Sequence, residues 1–210
     1  MIKYVAVFRN KGKEIGVSLA HPHSQIYALP FIPARIREEI RAHRSFRAKK
    51  GSCLICRLLD SGKLGKPIYS NDHFQVFLPN YAMWPYELHI YPRDHSTWLT
   101  QLSHSGVLHL ADALRAVSAT YNNLFQRDLP YIMAVHQGPT GEWYVDYHMH
   151  VEFYQPYRES DKLKYAAGIE WGFWTFTYDG NPKDKAEELR EALLRASKTL
   201  NFEGEVEGSA

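Results

Sequence analysis

Eight residues late in the chain, YHMHVEFY at 147–154, constrain folding more than any other stretch. Polar His148, His150 and Glu152 alternate there with Tyr147, Met149, Val151 and Phe153. Strand side chains leave opposite faces with a period of two, so the spacing predicts a strand with its apolar row entering a core. Three metal-binding or proton-moving groups would then align on the opposite face. A merely solvated face more often carries Thr, Lys and Glu. The pattern H-x-H-x-[Q/E]-apolar-Y also occurs earlier, as HPHSQIY from His21 to Tyr27. This predicts an internal duplication whose first copy is incomplete.

Other periodicities place the helices and remaining strands. Val107, Leu110, Leu114, Val117, Tyr121 and Leu124 step by three and four, which predicts an amphipathic helix over 103–125 laid on a sheet. Residues 4–8 are β-rich, and the turn signal Asn10-Lys11-Gly12 predicts a return strand through 15–26. Pro33 and Gly51 bound a basic helical stretch, read as a solvated connector rather than a nucleic-acid site. A helix starts at Cys53, and a loop at 61–66 precedes the strand-like runs IYSNDHFQVFLP and ELHIYP; YIMAVHQ and WYVDYHMHVEFYQP follow as further strands. Asn181 and Pro182 begin a last helix carrying Ala186, Leu189, Leu193 and Leu200, and residues 201–210 are expected to fray. Antiparallel strands around one long helix give an α+β class.

Composition narrows the function. With 210 residues, 45% of them hydrophobic, the chain can build a real core, and a net charge of +2 does not argue for nucleic acid as a partner. No apolar run approaches the roughly 18 residues of a membrane span, and the first residues lack a signal-peptide core. No membrane association is expected, and a cytoplasmic location is. The only two cysteines, Cys53 and Cys56, stand as C-L-I-C among 11 histidines. In a reducing compartment that spacing reads as metal before disulfide. Tetrahedral zinc wants four N or S ligands, and His95 and His148 are the candidates to complete the set. His73, His89, His104 and His109 are weaker candidates. A redox CxxC competes, but it usually starts a helix after a buried parallel strand. The first row allows another use. The neutral imidazole of His23 could attack phosphorus if its second ring nitrogen were tied to an acceptor, with Gly16, Ser18 and Gln25 supplying donors to the phosphate. A metal-ligand pair, His21 with His23, is the alternative.

Through FRNKGKEIGVSLAHPHSQIYALPFIP, LPNYAMWPYELHIYPRDH, YNNLFQRDLPYIMAVHQGP and YHMHVEFYQP, the chain resembles the galactose-1-phosphate uridylyltransferase family of the histidine-triad superfamily, from about residue 4 to about residue 197. The resemblance implies a histidine-triad-like antiparallel sheet with packed helices, plus the last hairpin of an incomplete first repeat. It divides the chain into 1–33 with the H-P-H motif, a linker helix at 34–52, a second histidine-triad-like domain at 53–200 and the tail. It implies ping-pong transfer of UMP through His23, with Gln25 beside it, using UDP-glucose or UDP-galactose and hexose 1-phosphates. Asn10, Gly16 and Ser18 would contact phosphate and uridylyl groups, and Lys164 and Glu170 the hexose phosphate. A second divalent metal, zinc or iron, would take Glu39, His136, His150 and Glu152. His21 would complete an upstream zinc site, so the chain is expected to act as a homodimer or with a missing amino-terminal half. The rival readings are a nucleotide phosphorylase or hydrolase, and a noncatalytic zinc-stabilised binding module. Internal symmetry again pairs Cys53 and Cys56 with His95 and His148.

Overall fold

Side-chain alternation builds the centre of the molecule. The computed structural model describes residues 1–18 and 21–208. In chain order the elements are β1 (Tyr4–Lys11), β2 (Gln25–Leu29), α1 (Ala34–Lys50), α2 (Leu54–Asp60), β3 (Gly65–Ser70), β4 (Phe74–Pro79) and β5 (Leu88–Pro92). There follow α3 (His104–Leu124), β6 (Tyr131–His136), β7 (His150–Tyr154), β8 (Tyr157–Glu159), β9 (Lys162–Leu163), α4 (Gly168–Phe173), α5 (Pro182–Ser197) and β10 (Glu205–Val206). One sheet runs β10-β3-β4-β5-β7-β6-β1-β2, and every neighbouring pair is antiparallel. The expected α+β architecture, an antiparallel sheet with packed helices, is present.

The sheet has two different faces. Leu88 and Ile90 of β5, Val135 of β6, and Val151 and Phe153 of β7 join Leu110, Val117 and Tyr121 of α3 and Leu189 and Leu193 of α5 in the main core. Burying such side chains stabilises the fold by about 1.5–3 kcal/mol each. The alternate residues His89, His136, His150 and Glu152 leave the other face, where they are also buried. There Ile36 and Ile40 of α1 pack with Tyr4 and Tyr147, and Ile55 of α2 packs with Phe77 and Tyr91. Basic α1 is therefore more than a solvated surface: one of its faces covers the polar side of the sheet.

Local signals explain most element ends. Ser103 Oγ accepts the Gly106 N–H at the start of α3, and Asn181 Oδ1 accepts the Lys183 N–H at the start of α5. Val107 of the expected apolar stripe is exposed, and Leu200 lies exposed beyond the end of α5. The return strand is shorter than expected: a 3-10 turn occupies Lys13–Ile15, and only Gln25–Leu29 pairs with β1. Gly16 closes that turn in the left-handed region at φ 81°, and Pro22 has no N–H for a ladder, so the chain leaves the sheet. Leu19 and Ala20 of that expected strand lie outside the described residues.

Two further expectations are corrected. Residues 143–149 do not extend β7: a 3-10 turn occupies Glu142–Tyr144, and the Met149 N–H donates to Ser96 O rather than to a ladder partner. His150 and Glu152 share the predicted row, whereas His148 precedes the strand and joins other residues. The expected fraying of the tail does not extend through its described part. β10 pairs with β3, Phe202 and Val206 pack on the core, and the Gly204 N–H donates to the Tyr69 hydroxyl at 2.7 Å. Buried apolar contacts and ladder bonds hold it down; Ser209 and Ala210 lie outside the described residues.

Candidate functional site

His23 stands half-buried in the segment between the 3-10 turn and β2. Its Nδ1 lies 2.8 Å from the main-chain oxygen of His21, two residues before it. A carbonyl oxygen only accepts, so Nδ1 carries the proton and Nε2 keeps its lone pair. That is the tautomer a nucleophile requires. The Tyr27 hydroxyl donates to Gln25 Oε1 at 3.1 Å, which orients the Gln25 amide and leaves its NH2 as a donor. Beside this segment an open pocket of about 400 Å³ is lined by Arg9, Asn10, Lys13, Ser18, His21 and Pro22, among others. Asn10, Ser18 and His21 therefore meet at one cavity, whose lining does not include Gly16, His23 or Gln25; the last two follow His21 and Pro22 in the chain. Lys11 is paired with Asp128 across the same pocket. Arg9 and Lys13 give this lining basic side chains beside the carboxylates of Glu14 and Asp128, and basic groups of this kind suit a phosphate-bearing ligand.

The cysteines form a second centre. Cys53 caps α2 and Cys56 sits in its first turn. His148 Nδ1 lies 3.6 Å from Cys53 Sγ and 3.5 Å from Cys56 Sγ, and His95 Nδ1 lies 3.7 Å from Cys56 Sγ. The other ring nitrogens are anchored: His95 Nε2 donates to Val145 O at 2.7 Å and His148 Nε2 to Pro92 O at 3.0 Å. Both Nδ1 lone pairs therefore face the thiols. All four ligand atoms lie within 4.8 Å of one another. Burial opposes ionisation of Cys53, but the His148 and His95 imidazoles hold its thiol down at about 5; burial and the Cys53 charge push Cys56 up to about 12. Two soft sulfurs and two imidazoles are a donor set suited to tetrahedral zinc.

A third group lies under α1. Glu39, His136, His150 and Glu152 also bring their ligand atoms within 4.8 Å of one another. His136 Nδ1 is 3.0 Å from Glu39 Oε1, and His150 Nε2 is 3.2 Å from Glu152 Oε1. Despite burial, contact with His136 holds the Glu39 carboxyl down at about 2. Sequence reasoning missed the residues around this group. Arg35 reaches Glu152, the Tyr147 hydroxyl reaches Glu39, and the Tyr154 hydroxyl reaches Glu152. His89, ranked low as a ligand, bonds Glu87 Oε1 at 2.7 Å and lies 3.5 Å from Glu152. The i, i+4 spacing of Arg35 and Glu39 was the available signal. Buried His43, pushed down to about 4 by burial, accepts the His148 N–H.

Lys164 and Glu170 occupy a different region. Lys164 Nζ donates to Met83 O at 2.8 Å and lies 3.1 Å from Asp179 Oδ2. Glu170 accepts the Ala167 N–H at 3.0 Å and the Thr177 hydroxyl at 2.7 Å. The Lys164 ammonium also donates to Thr177 O, so the two residues are joined through Thr177. Among the described residues, none of these bonds links them to His23. Around them, exposed aromatic rings of Tyr165, Trp171, Phe173 and Trp174 cover the segment, with Phe173 and Trp174 each 76% accessible.

Comparison with known proteins places this arrangement. The family described as galactose-1-phosphate uridyl transferase, C-terminal domain, matches residues 39–194, and the corresponding N-terminal domain matches residues 1–33. A galactose-1-phosphate uridylyltransferase of Thermotoga maritima is 43% identical over 192 residues, which cover 90% of this chain and 60% of that protein. A solved uridylyltransferase structure superposes with a TM-score of 0.89 at 43% identity, over 95% of this chain and 62% of the other. This chain thus spans less than two thirds of the length of either relative. A zinc-bound histidine-triad family protein from Mycobacterium smegmatis, 18% identical, shares the fold with a TM-score of 0.51 over 71% of this chain and 98% of its own.

Proposed function

Because the chain belongs to the galactose-1-phosphate uridyl transferase family, we propose that it transfers UMP between UDP-glucose and a hexose 1-phosphate through His23. The observation that carries this reading is the bond from His23 Nδ1–H to His21 O, which frees Nε2. In the first half-reaction Nε2 forms a bond to the α-phosphorus of UDP-glucose. The bond from that phosphorus to the bridging oxygen breaks, and glucose 1-phosphate leaves with the electron pair. A phosphate oxygen of galactose 1-phosphate then attacks the same phosphorus, the P–N bond breaks, and UDP-galactose departs. The charge that develops on the nonbridging oxygens meets the Gln25 amide, with Asn10, Ser18 and the basic groups of the pocket holding the rest of the phosphate chain.

Zinc takes Cys53, Cys56, His95 and His148 in this reading. With four protein ligands a bound zinc would serve to join α2 to the loops before α3 and β7 rather than to act on substrate. Two unpaired cysteines set for metal fit a reducing cytoplasm. Lys164 and Glu170 serve the hexose phosphate from a second copy of the chain, whose exposed aromatic rings supply the contact surface. Trp174→Glu should convert a dimer to monomer in light-scattering measurements; an unchanged mass removes that role.

The decisive experiment is mass spectrometry of the intact protein after incubation with UDP-glucose. One acid-labile UMP per chain is expected, and none in His23→Ala. No adduct on the wild type would overturn the transferase reading in favour of a binding module. Free UMP released without a sugar-phosphate acceptor would identify a hydrolase, and a nucleoside diphosphate formed with inorganic phosphate would identify a phosphorylase.

A further inference from the structure

The resemblance implies a divalent ion among Glu39, His136, His150 and Glu152, yet this chain already supplies a cation there. Arg35 Nη2 lies 2.8 Å from Glu152 Oε2 and 2.9 Å from Glu152 Oε1, and Arg35 Nε lies 3.3 Å from Glu39 Oε1. One guanidinium therefore bridges both carboxylates. Tyr147 donates to Glu39 at 2.5 Å, and Tyr154 donates to Glu152. His136 lies between the two carboxylates, with Nδ1 3.0 Å from Glu39 and Nε2 3.4 Å from Glu152. A metal needs ligand lone pairs directed at itself from about 2.0–2.2 Å. In this cluster the carboxylate oxygens are directed at N–H and O–H donors instead. The guanidinium also cannot give up its proton to make way.

The donor set therefore does not fit a divalent ion while Arg35 is seated. We propose that Arg35 replaces the second metal of this fold, holding α1 against β6 and β7 through a metal-free network of two carboxylates, two imidazoles and two tyrosines. Arg35 is well placed for this. It lies one helical turn before Glu39, so both project from α1 toward the sheet face that carries His136, His150 and Glu152. Its Nη2 meets both Glu152 oxygens while its Nε meets Glu39, so one planar guanidinium spans two carboxylates with separate nitrogens. The cysteine centre differs: among the described residues, no lysine or arginine bonds to Cys53 or Cys56.

Elemental analysis of the purified protein, dialysed against zinc and then buffer, tests the proposal. One equivalent per chain is expected in the wild type and none when Cys53→Ser and Cys56→Ser are combined. An equivalent that survives in that double variant lies in the second cluster and overturns the proposal. Arg35→Met removes the guanidinium that bridges both carboxylates, leaving only His136 between them, and should bind one more zinc than the wild type; Arg35→Lys, which keeps a cation there, should not. A folded Arg35→Met, checked by circular dichroism, that binds no additional zinc also overturns it. If Arg35→Met does not fold, the count in the folded wild type decides: a second equivalent of zinc per chain overturns the proposal. The difference between Arg35→Met and wild type is read independently of whether the cysteine centre holds zinc.

Discussion

His148 and His150 are two residues apart, yet they serve centres of opposite character. At the cysteine centre the imidazoles are fixed from behind by main-chain carbonyls of Val145 and Pro92, and their lone pairs converge on two thiols. At the carboxylate centre His150 also has a carbonyl behind it, His148 O at 3.3 Å, but the imidazoles and carboxylates are occupied in front by one another, by Arg35 and by two tyrosines. Ligand identity alone does not decide whether a site needs a metal. What matters is where the hydrogen-bond partners sit. Partners behind the ligands prepare an ion site, and partners between them take its place.

Metal removal should separate the centres most sharply. Chelation, or Cys53→Ser, should remove the proposed zinc, whose binding energy would be folding energy, at an expected cost on the order of 5 kcal/mol. For a domain of this size that is roughly 10–20 °C in melting temperature by calorimetry. A melting temperature indifferent to chelator and to Cys53→Ser would break the contrast at its metal side.

Glu152→Ala should follow in size. It leaves Arg35 and His136 facing a buried gap, at a cost of about 3 kcal/mol or more. The loss should be the same with and without chelator; a chelator-dependent loss would place a metal at this centre too.

Glu170 supplies the smallest effect and a control, because neutral donors hold its carboxylate. The Ala167 N–H and the Thr177 hydroxyl lower its pKa from the ordinary 4.5 to about 2. A depressed carboxyl stabilises the native state above its unfolded pKa and loses that contribution as pH falls through the folded value. The bonds around α4 should therefore weaken between about pH 5 and pH 2, with the Glu170 carbon signal titrating near the lower end by NMR. A midpoint near 4.5 would show that neutral donors do not hold it, and Glu170→Gln should flatten this part of the acid response.

Legibility followed the range of the forces involved. The alternation of Val151 and Phe153 with His150 and Glu152, and the three-four stepping of Leu110, Val117 and Tyr121, reported real faces because burial acts on every residue of a regular element. The candidate set Cys53, Cys56, His95 and His148 was legible because CxxC announces itself locally and tetrahedral coordination asks for two more donors. The return strand before β2 was overextended, because the left-handed Gly16 and the missing N–H of Pro22 outweighed apolar content. The tail misled in the opposite sense: its polar composition hid a two-residue strand stabilised by β3 and the core.

Arg35 shows where one-dimensional reading ends. Within α1 it is one basic residue among several, and its charge pattern suits solvent as well as a partner. By itself the sequence determined which residues could be nucleophile, ligand or core, since those capacities are chemical and local. Only the tertiary structure decided which capacities are used. It turned His23 Nδ1 onto a carbonyl, sent His148 and His150 to different centres, and laid α1 so that Arg35 meets Glu152 from 117 positions away. Hydrogen bonds and charges act over a few ångströms of space, and distance along the chain does not measure that.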